Sequence, residues 1–377
     1  MGERRWVASP LLFFRFIDGA MDMSEKVYDI AVLKGDGIGP EVVEQALIAL
    51  RAIGAPRFNF TEHPCGAGCY LECGEPLPDA TVEACRTADA VLLGAMGLPD
   101  IRWDDGTEMR PQIDLRILLD LYAGVRPIYL YNGDHSPLKG LGAGAIDFVI
   151  LRENVEGLFA SMNGGIELRG EVAVDSMVIT RSGTERIVRY AFELAVQRAR
   201  SPMRVTCVDK ANVFKSMAFF RSVYNRVADE FPDVERDYAY VDALSMYLVQ
   251  RPRDYDVLVA ENMYGDIISD LAAGLVGGLG MAPSGDIGPD AAVFQPSHGT
   301  APDIAGKGLA NPIAMILSAA LMLRWLGKRH GDGEAVQGAA RIEEAVQRVV
   351  SEAGAGTPDI GGTMTTGELG KAIIEVL

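Results

Sequence analysis

The stretch from Val27 to Gly54, VYDIAVLKGDGIGPEVVEQALIALRAIG, passes from an apolar segment through a glycine turn into a helix-period run. Pro40 stands where the first turn of a helix tolerates it, because the N–H it lacks would have no partner there. The order is repeated along the chain. DAVLLGAMG (89–97) is a second apolar strand ending in glycines, and further strands are predicted at 145–151, 204–209, 237–241 and 256–260. Helices are predicted at 115–122, 182–200, 213–230, 311–327 and 334–353, with Ser182 and Glu185 spaced as a capping box for the second. Strands alternating with helices dictate an α/β protein built on a mainly open sheet. One segment breaks the pattern: GGIELRGEVAVDSMVIT (164–180) reads as a two-stranded hairpin with little core of its own, an arm that needs another surface to cover it.

At 377 residues the chain has the length of two domains. No low-complexity linker separates them, so the boundary is expected in ordinary crossing segments near 121 and near 276. That gives a discontinuous unit of 25–121 plus 277–377 and a second unit of 122–276 that carries the arm near 160–180. Residues 1–24 combine arginines with a short LLFF core and no cleavage site of small residues, and are expected to form a poorly ordered extension. The net charge of −17 argues against nucleic acid and anionic membranes as partners. No apolar run reaches the roughly 18–20 residues of a membrane span. An anionic ligand must therefore be gripped by local arginines. The five cysteines form no zinc-spaced ligand set, and free thiols in a reducing cytoplasm are expected.

Several stretches carry chemistry. In ENMYGDIISDL (261–271), Asp266 and Asp270 share one face of a helix. Their repulsion is relieved either by solvent or by a hard dication such as Mg²⁺ or Mn²⁺. VDKANV (208–213) sets Lys210 at a strand end, as a general base beside a cation or as half of a salt bridge. YVDALSM (240–246) sets Asp242 in a similar place. Arg116, Arg126 and Arg152 offer forked donors suited to carboxylates. GDGIGPE (35–41) is G-x-G-x-G, which as a dinucleotide fingerprint competes with a plain strand–helix turn. QPSHGTAPDIAGKGLANP (295–312) is a loop of glycines and prolines in which Asp303 could accept from ribose hydroxyls.

Taken in order, GDGIGPE, the three arginines, VDKANV, YVDA, NMYGDIISDL and HGTAPDIAGKGLANP resemble the β-decarboxylating hydroxyacid dehydrogenases, the isocitrate and isopropylmalate dehydrogenase family. The likeness runs from about residue 26 to the C-terminus and is nearest in type to the 3-isopropylmalate enzymes. It implies a two-domain α/β fold with an open mixed sheet, distinct from the Rossmann fold, and a homodimer with shared active sites. The metal, Mg²⁺ or Mn²⁺, would be held by Asp266 and Asp270 of one subunit and Asp242 of the other, with Lys210 crossing the interface as the base. Arg116, Arg126 and Arg152 would hold the carboxylates of a small 2-hydroxy di- or tricarboxylate. NAD would lie along Gly37, Ile38 and Gly39 and against Asn262, His298, Gly299, Ala301, Pro302, Asp303 and Asn311, with Asp303 rejecting a 2′-phosphate.

Two departures stand out. The family's catalytic tyrosine, the acid that protonates C3, falls at Phe159 in RENVEGLFA (152–160), so water, Lys210 or Tyr264 would have to replace it. The wall facing the C3 substituent carries Gln112 and Ile113 where isopropylmalate enzymes place a leucine pair, and Met109 where an acid is expected. An amide there suits a polar substituent as well as an isopropyl group. The reading is therefore NAD-dependent oxidative decarboxylation of 3-isopropylmalate or a near relative. Tartrate/D-malate or homoisocitrate specificity is the enzymatic alternative, and a weakly catalytic, ligand-binding regulatory homologue is the alternative of another class.

Overall fold

A computed structural model describes residues 26–377 apart from 163 and 353, so the segment 1–24 lies outside the described residues. The first third of the chain forms β1 (Val27–Leu33), α1 (Gly39–Ala52), β2 (Arg57–Glu62), α2 (Ala67–Cys73), α3 (Asp79–Thr87), β3 (Ala90–Leu93), α4 (Pro111–Leu118) and β4 (Ala123–Tyr129). It continues through β5 (Asp147–Glu153), the short pair β6 (Ile166–Leu168) and β7 (Val172–Val174), α5 (Arg181–Arg198), β8 (Arg204–Asp209) and α6 (Lys215–Ala228). There follow β9 (Glu235–Tyr240), α7 (Val241–Gln250), β10 (Val257–Ala260) and α8 (Asn262–Gly274). The chain closes with β11 (Pro283–Ile287), β12 (Ala292–Pro296), α9 (Ile313–His330), α10 (Gly333–Val350) and α11 (Thr366–Glu375).

Ten strands form one sheet in the order β2-β1-β3-β12-β11-β4-β5-β10-β8-β9. The first four are mutually parallel, as are the last four. Between them β11 and β4 pair antiparallel with each other and with their outer neighbours β12 and β5. The result is the open mixed sheet expected from the sequence. The arm forms as expected too: β6 and β7 pair antiparallel, and every residue of both is exposed.

The two faces of the sheet differ. On one, a single continuous core runs from Ile30, Val32 and Leu92 through Phe294 and Val125 to Leu151, Val259 and Cys207, covered by α1, α9, α10 and α5. On the other, two separate clusters form. One gathers Leu33, Leu93, Val293 and Leu115, and the other Ile128, Ile150, Leu258 and Ile268. Strand period two explains what lies between them. Asp286 pairs with Val293 and Gly124, and Gly124 pairs with Arg152. Arg126 and Gln295, two residues along their own strands, therefore share that face. A polar gap thus interrupts the apolar cover on one side only.

Two local expectations are corrected. The helix expected at 115–122 begins earlier, with Pro111 in its first turn, and ends at Leu118. Asp120 then takes a left-handed conformation (φ 48°), which breaks the helix and turns the buried run 123–129 into β4. The capping box at Ser182 and Glu185 does not form. Extended Thr180 is the N-cap of α5, its hydroxyl accepting from Gly183 N, and Glu185 instead pairs with Arg226. Among the described residues no helix is long and apolar enough to cross a membrane.

Candidate active site

The polar gap opens into a cavity of about 350 Å³. Strand ends from both parallel blocks reach it. Gly94 to Met96 follow β3, Ser297 to Gly299 follow β12, and Arg152 sits near the end of β5. Helix α4 contributes Gln112, Ile113 and Arg116, and α8 contributes Asp266 and Asp270. The three arginines read from sequence are thus brought together, all buried in the protein interior.

Each guanidinium is held differently. Arg116 Nε donates to Asp286 Oδ2 at 2.9 Å, and Gln295 Nε2 donates to the same oxygen at 2.6 Å. Arg126 Nη1 donates to Ser297 Oγ at 2.9 Å, while its Nε is buried without a partner. Arg152 donates through Nε (3.0 Å) and Nη2 (2.7 Å) to Asn262 Oδ1 and pairs through Nη1 with Asp266. Burial and the neighbouring Arg116 bring the Arg152 guanidinium down to about 10, against the pull of Asp266. Burial likewise lowers Arg126. An anion entering the cavity would meet charges already stripped of water, and Arg126 Nε lacks only an acceptor. Gly265 lets α8 come close enough for these contacts, since a Cβ there would fall 2.8 Å from the Arg152 Cβ.

Asp266 and Asp270 lie one turn apart on α8 and face the same cavity. Burial, followed by the charge of Asp266, holds Asp270 above the ordinary carboxylate range. Such a repulsive pair suits a dication with oxygen ligands. Among the described residues no three His, Cys, Asp or Glu side chains stand close enough to enclose one. Asp242 is elsewhere. It opens α7 and pairs with Lys210 Nζ at 2.6 Å, a hydrogen bond that lowers its carboxyl. Neither residue is among those lining the cavity. The turn that carries Lys210 is set by Asp209, which accepts from Arg221 Nε (2.6 Å), Arg221 Nη2 (2.7 Å) and Ala211 N (2.8 Å).

Phe159 lies in a 3-10 turn (Leu158–Ser161) and lines the cavity, its ring centroid 6.0 Å from the Arg152 guanidinium. Tyr264, offered by the sequence as a substitute acid, does not line it. Met109 is buried beside the turn at Gly97.

The two glycine-rich loops meet at the cavity mouth. Ile38 N donates to Thr300 O at 2.9 Å. Gly37 has a positive φ (57°) and a Cβ there would fall 2.1 Å from Thr300 O, so only glycine fits. Asp36 fastens the first loop, accepting from Ala67 N, Gly68 N and Gly97 N at 2.8 Å each. Gly39 starts α1, and the Glu41 carboxylate faces the amides of Gly306 and Gly308 in the second loop. Of that loop, His298 and Gly299 line the cavity, and burial lowers the His298 imidazole. Ala301 takes a positive φ (37°), Pro302 and Asp303 are exposed, and Asn311 is buried, donating to Asp359 Oδ2 at 3.1 Å. Sequence reasoning missed Asp286, Gln295 and Ser297. The one signal for Asp286 was a lone charge inside a short strand.

The model of the isocitrate/isopropylmalate dehydrogenase family matches residues 29–373. The 3-isopropylmalate dehydrogenase of Archaeoglobus fulgidus is 44% identical over 92% of this chain and 99% of its own length. The 3-isopropylmalate/3-methylmalate dehydrogenase of Methanocaldococcus jannaschii is 41% identical over 92% of this chain and 98% of its own. Among solved structures, the isocitrate dehydrogenase of Methylococcus capsulatus superposes with a TM-score of 0.83 at 38% identity, covering 93% of this chain and 99% of that one. The family match over nearly the whole described chain, the identities and the shared fold show that the chain belongs to the isocitrate/isopropylmalate dehydrogenase family, as a decarboxylating dehydrogenase.

Proposed function

We propose that the protein oxidises and decarboxylates a malate-type 2-hydroxy acid, most closely 3-isopropylmalate, with NAD as hydride acceptor and Mg²⁺ or Mn²⁺ as the assisting cation. The observation that carries this reading is one cavity lined by three guanidinium groups and two carboxylates of a single helical turn. The relatives named as 3-isopropylmalate dehydrogenases support the choice of substrate.

The donor set fits a hard dication, which we assign to Asp266, Asp270 and Asp242 of the partner subunit. When bound, it supplies Lewis-acid polarisation of the substrate's C2 oxygen. Arg126, with its unpartnered Nε, and Arg116 and Arg152 orient the carboxylates so that the C2 hydrogen faces the nicotinamide. For Arg152 this means loosening its pairing with Asp266. Lys210 takes the hydroxyl proton. Because Lys210 and Asp242 pair with each other and stay off the cavity of their own chain, we assign both to the cavity of a second copy. The exposed arm, with Ile166, Leu168, Val172 and Val174 uncovered, supports a homodimer. NAD would run from the nicotinamide near the cavity along Gly37 to Gly39 and Asn262, with its ribose hydroxyls toward exposed Asp303. The cavity draws on residues of both 25–121 plus 277–377 and 122–276, which supports reading these as two domains. The free thiols suit the reducing cytoplasm to which we assign the protein.

A second reading rests on Gln112, whose Oε1 is buried at the cavity without a partner. A C3 substituent with a hydroxyl, as in tartrate, would satisfy it. The deciding experiment follows NAD reduction with Mn²⁺ on 3-isopropylmalate, D-malate, tartrate, isocitrate and homoisocitrate. Fastest turnover of 3-isopropylmalate is expected, preference for tartrate would favour the second reading, and no turnover on any of them would sink both.

Phe159 offers no proton at C3. Restoring one, Phe159→Tyr is expected to increase kcat by about tenfold or more, because a positioned general acid contributes roughly 10²–10⁴. Substrate affinity should be unchanged. A fall in kcat would mean that the ring is fitted to a different substrate.

A further inference from the structure

Next to the arginines, though not among the residues that line the cavity, stands a carboxylate that the chemistry above leaves unused. Asp286 is 1% exposed, and it does not itself line the cavity. Its Oδ2 receives Arg116 Nε and Gln295 Nε2, while its Oδ1 is buried without a partner. Burial raises its carboxyl, but Arg116 and Arg126 outweigh that, leaving it below the ordinary range and ionised.

The charges can be counted. Arg116, Arg126 and Arg152 carry three positive charges around the cavity, and Asp286 cancels one. On the reading proposed above, the dication and Lys210 of the partner subunit are balanced by Asp266, Asp270 and Asp242 of the partner subunit, so two positive charges remain for the substrate. Two charges match two carboxylates. A third carboxylate on C3 would enter without a counter-charge, in surroundings where water screens little.

We propose that Asp286 is a specificity-determining residue that makes this cavity select malate-type dicarboxylates over tricarboxylates, by lowering the positive charge of the arginine cluster and holding Arg116. Its action is through Arg116 and Arg126, without contact to the substrate.

The test uses two unreactive probes, succinate and propane-1,2,3-tricarboxylate, titrated calorimetrically into the full-length protein with Mg²⁺ and NAD. Asp286→Asn keeps an oxygen for Arg116 and Gln295 and removes the charge. Both probes should then bind more tightly, and the tricarboxylate should gain about tenfold more than the dicarboxylate. Adding Gln295→Glu to that variant returns one negative charge to the hydrogen-bonded pair and should restore the original preference. Should Asp286→Asn fail to fold, Asp286→Ser removes the same charge and must give the same shift. If loss of the charge loosens both probes alike, Asp286 only props Arg116 and the proposal falls. It falls too if Gln295→Glu restores nothing. Turnover of 3-isopropylmalate by the unaltered protein is measured alongside. Its absence would overturn the proposed function, whereas the ratio of probe affinities decides Asp286 separately.

Discussion

Lys210→Met is expected to lower kcat by about 10²–10⁴-fold with little change in substrate affinity, since it removes a proton acceptor and no carboxylate ligand. The structure makes a sharper form of this prediction available. Lys210 pairs with Asp242 and is not among the residues lining its own cavity, whereas Arg126 lines that cavity directly. If each lysine serves the other subunit, Lys210→Met and Arg126→Met homodimers are both nearly inactive. Mixing and refolding them produces heterodimers in which one cavity has every group. About a quarter of the unaltered activity should return, half the dimers being mixed and one site in each being intact. No recovery on mixing would place Lys210 in its own subunit's chemistry and undo the shared-site assignment.

The second large effect is on stability. Arg324 on α9 and Glu343 on α10 are each 1% exposed and form a forked pair, with Nε to Oε1 at 2.7 Å and Nη2 to Oε2. A single guanidinium left in that interior has no water to turn to. Glu343→Gln should therefore destabilise the fold by about 3–5 kcal/mol, read as a shift in urea denaturation midpoint. Arg324→Met combined with Glu343→Leu removes both charges and should cost less than the single change. A double variant as unstable as the single one would show that the pair's value lies in its packing rather than its charge balance.

What could be read from the chain beforehand follows a physical division. The glycine turn at 35–39 and the helical spacing of Asp266 and Asp270 in 261–271 are local patterns, and the structure has a turn and a helix there. Asp286 is different. Its partner Arg116 is 170 residues away, and only the antiparallel pairing of β11 with β4 brings the two together. No spacing encodes that. The end of α4 falls short of the expected 122 because LDLY continues the apolar rhythm past Leu118, while the left-handed Asp120 that ends the helix is visible only in three dimensions. The cap of α5 was misjudged for a smaller reason. Thr180 and Ser182 both offer a hydroxyl, and the extended backbone at Thr180 selects it. Lys210 and Asp242 are a third case: their residue types announced chemistry, but a single chain leaves them facing each other.

The unequal cover of the sheet has a mechanical consequence. One face is a seamless apolar spine, and the other is already parted into two clusters by arginines and carboxylates. A small swing of the two parallel blocks about β11 and β4 would change the width of that parting while drawing few apolar side chains into water. The groups wetted and dried as it moves are mainly polar, the three arginines and two aspartates of the cavity among them. The molecule can therefore breathe around its ligand while its hydrophobic stability stays invested on the far side.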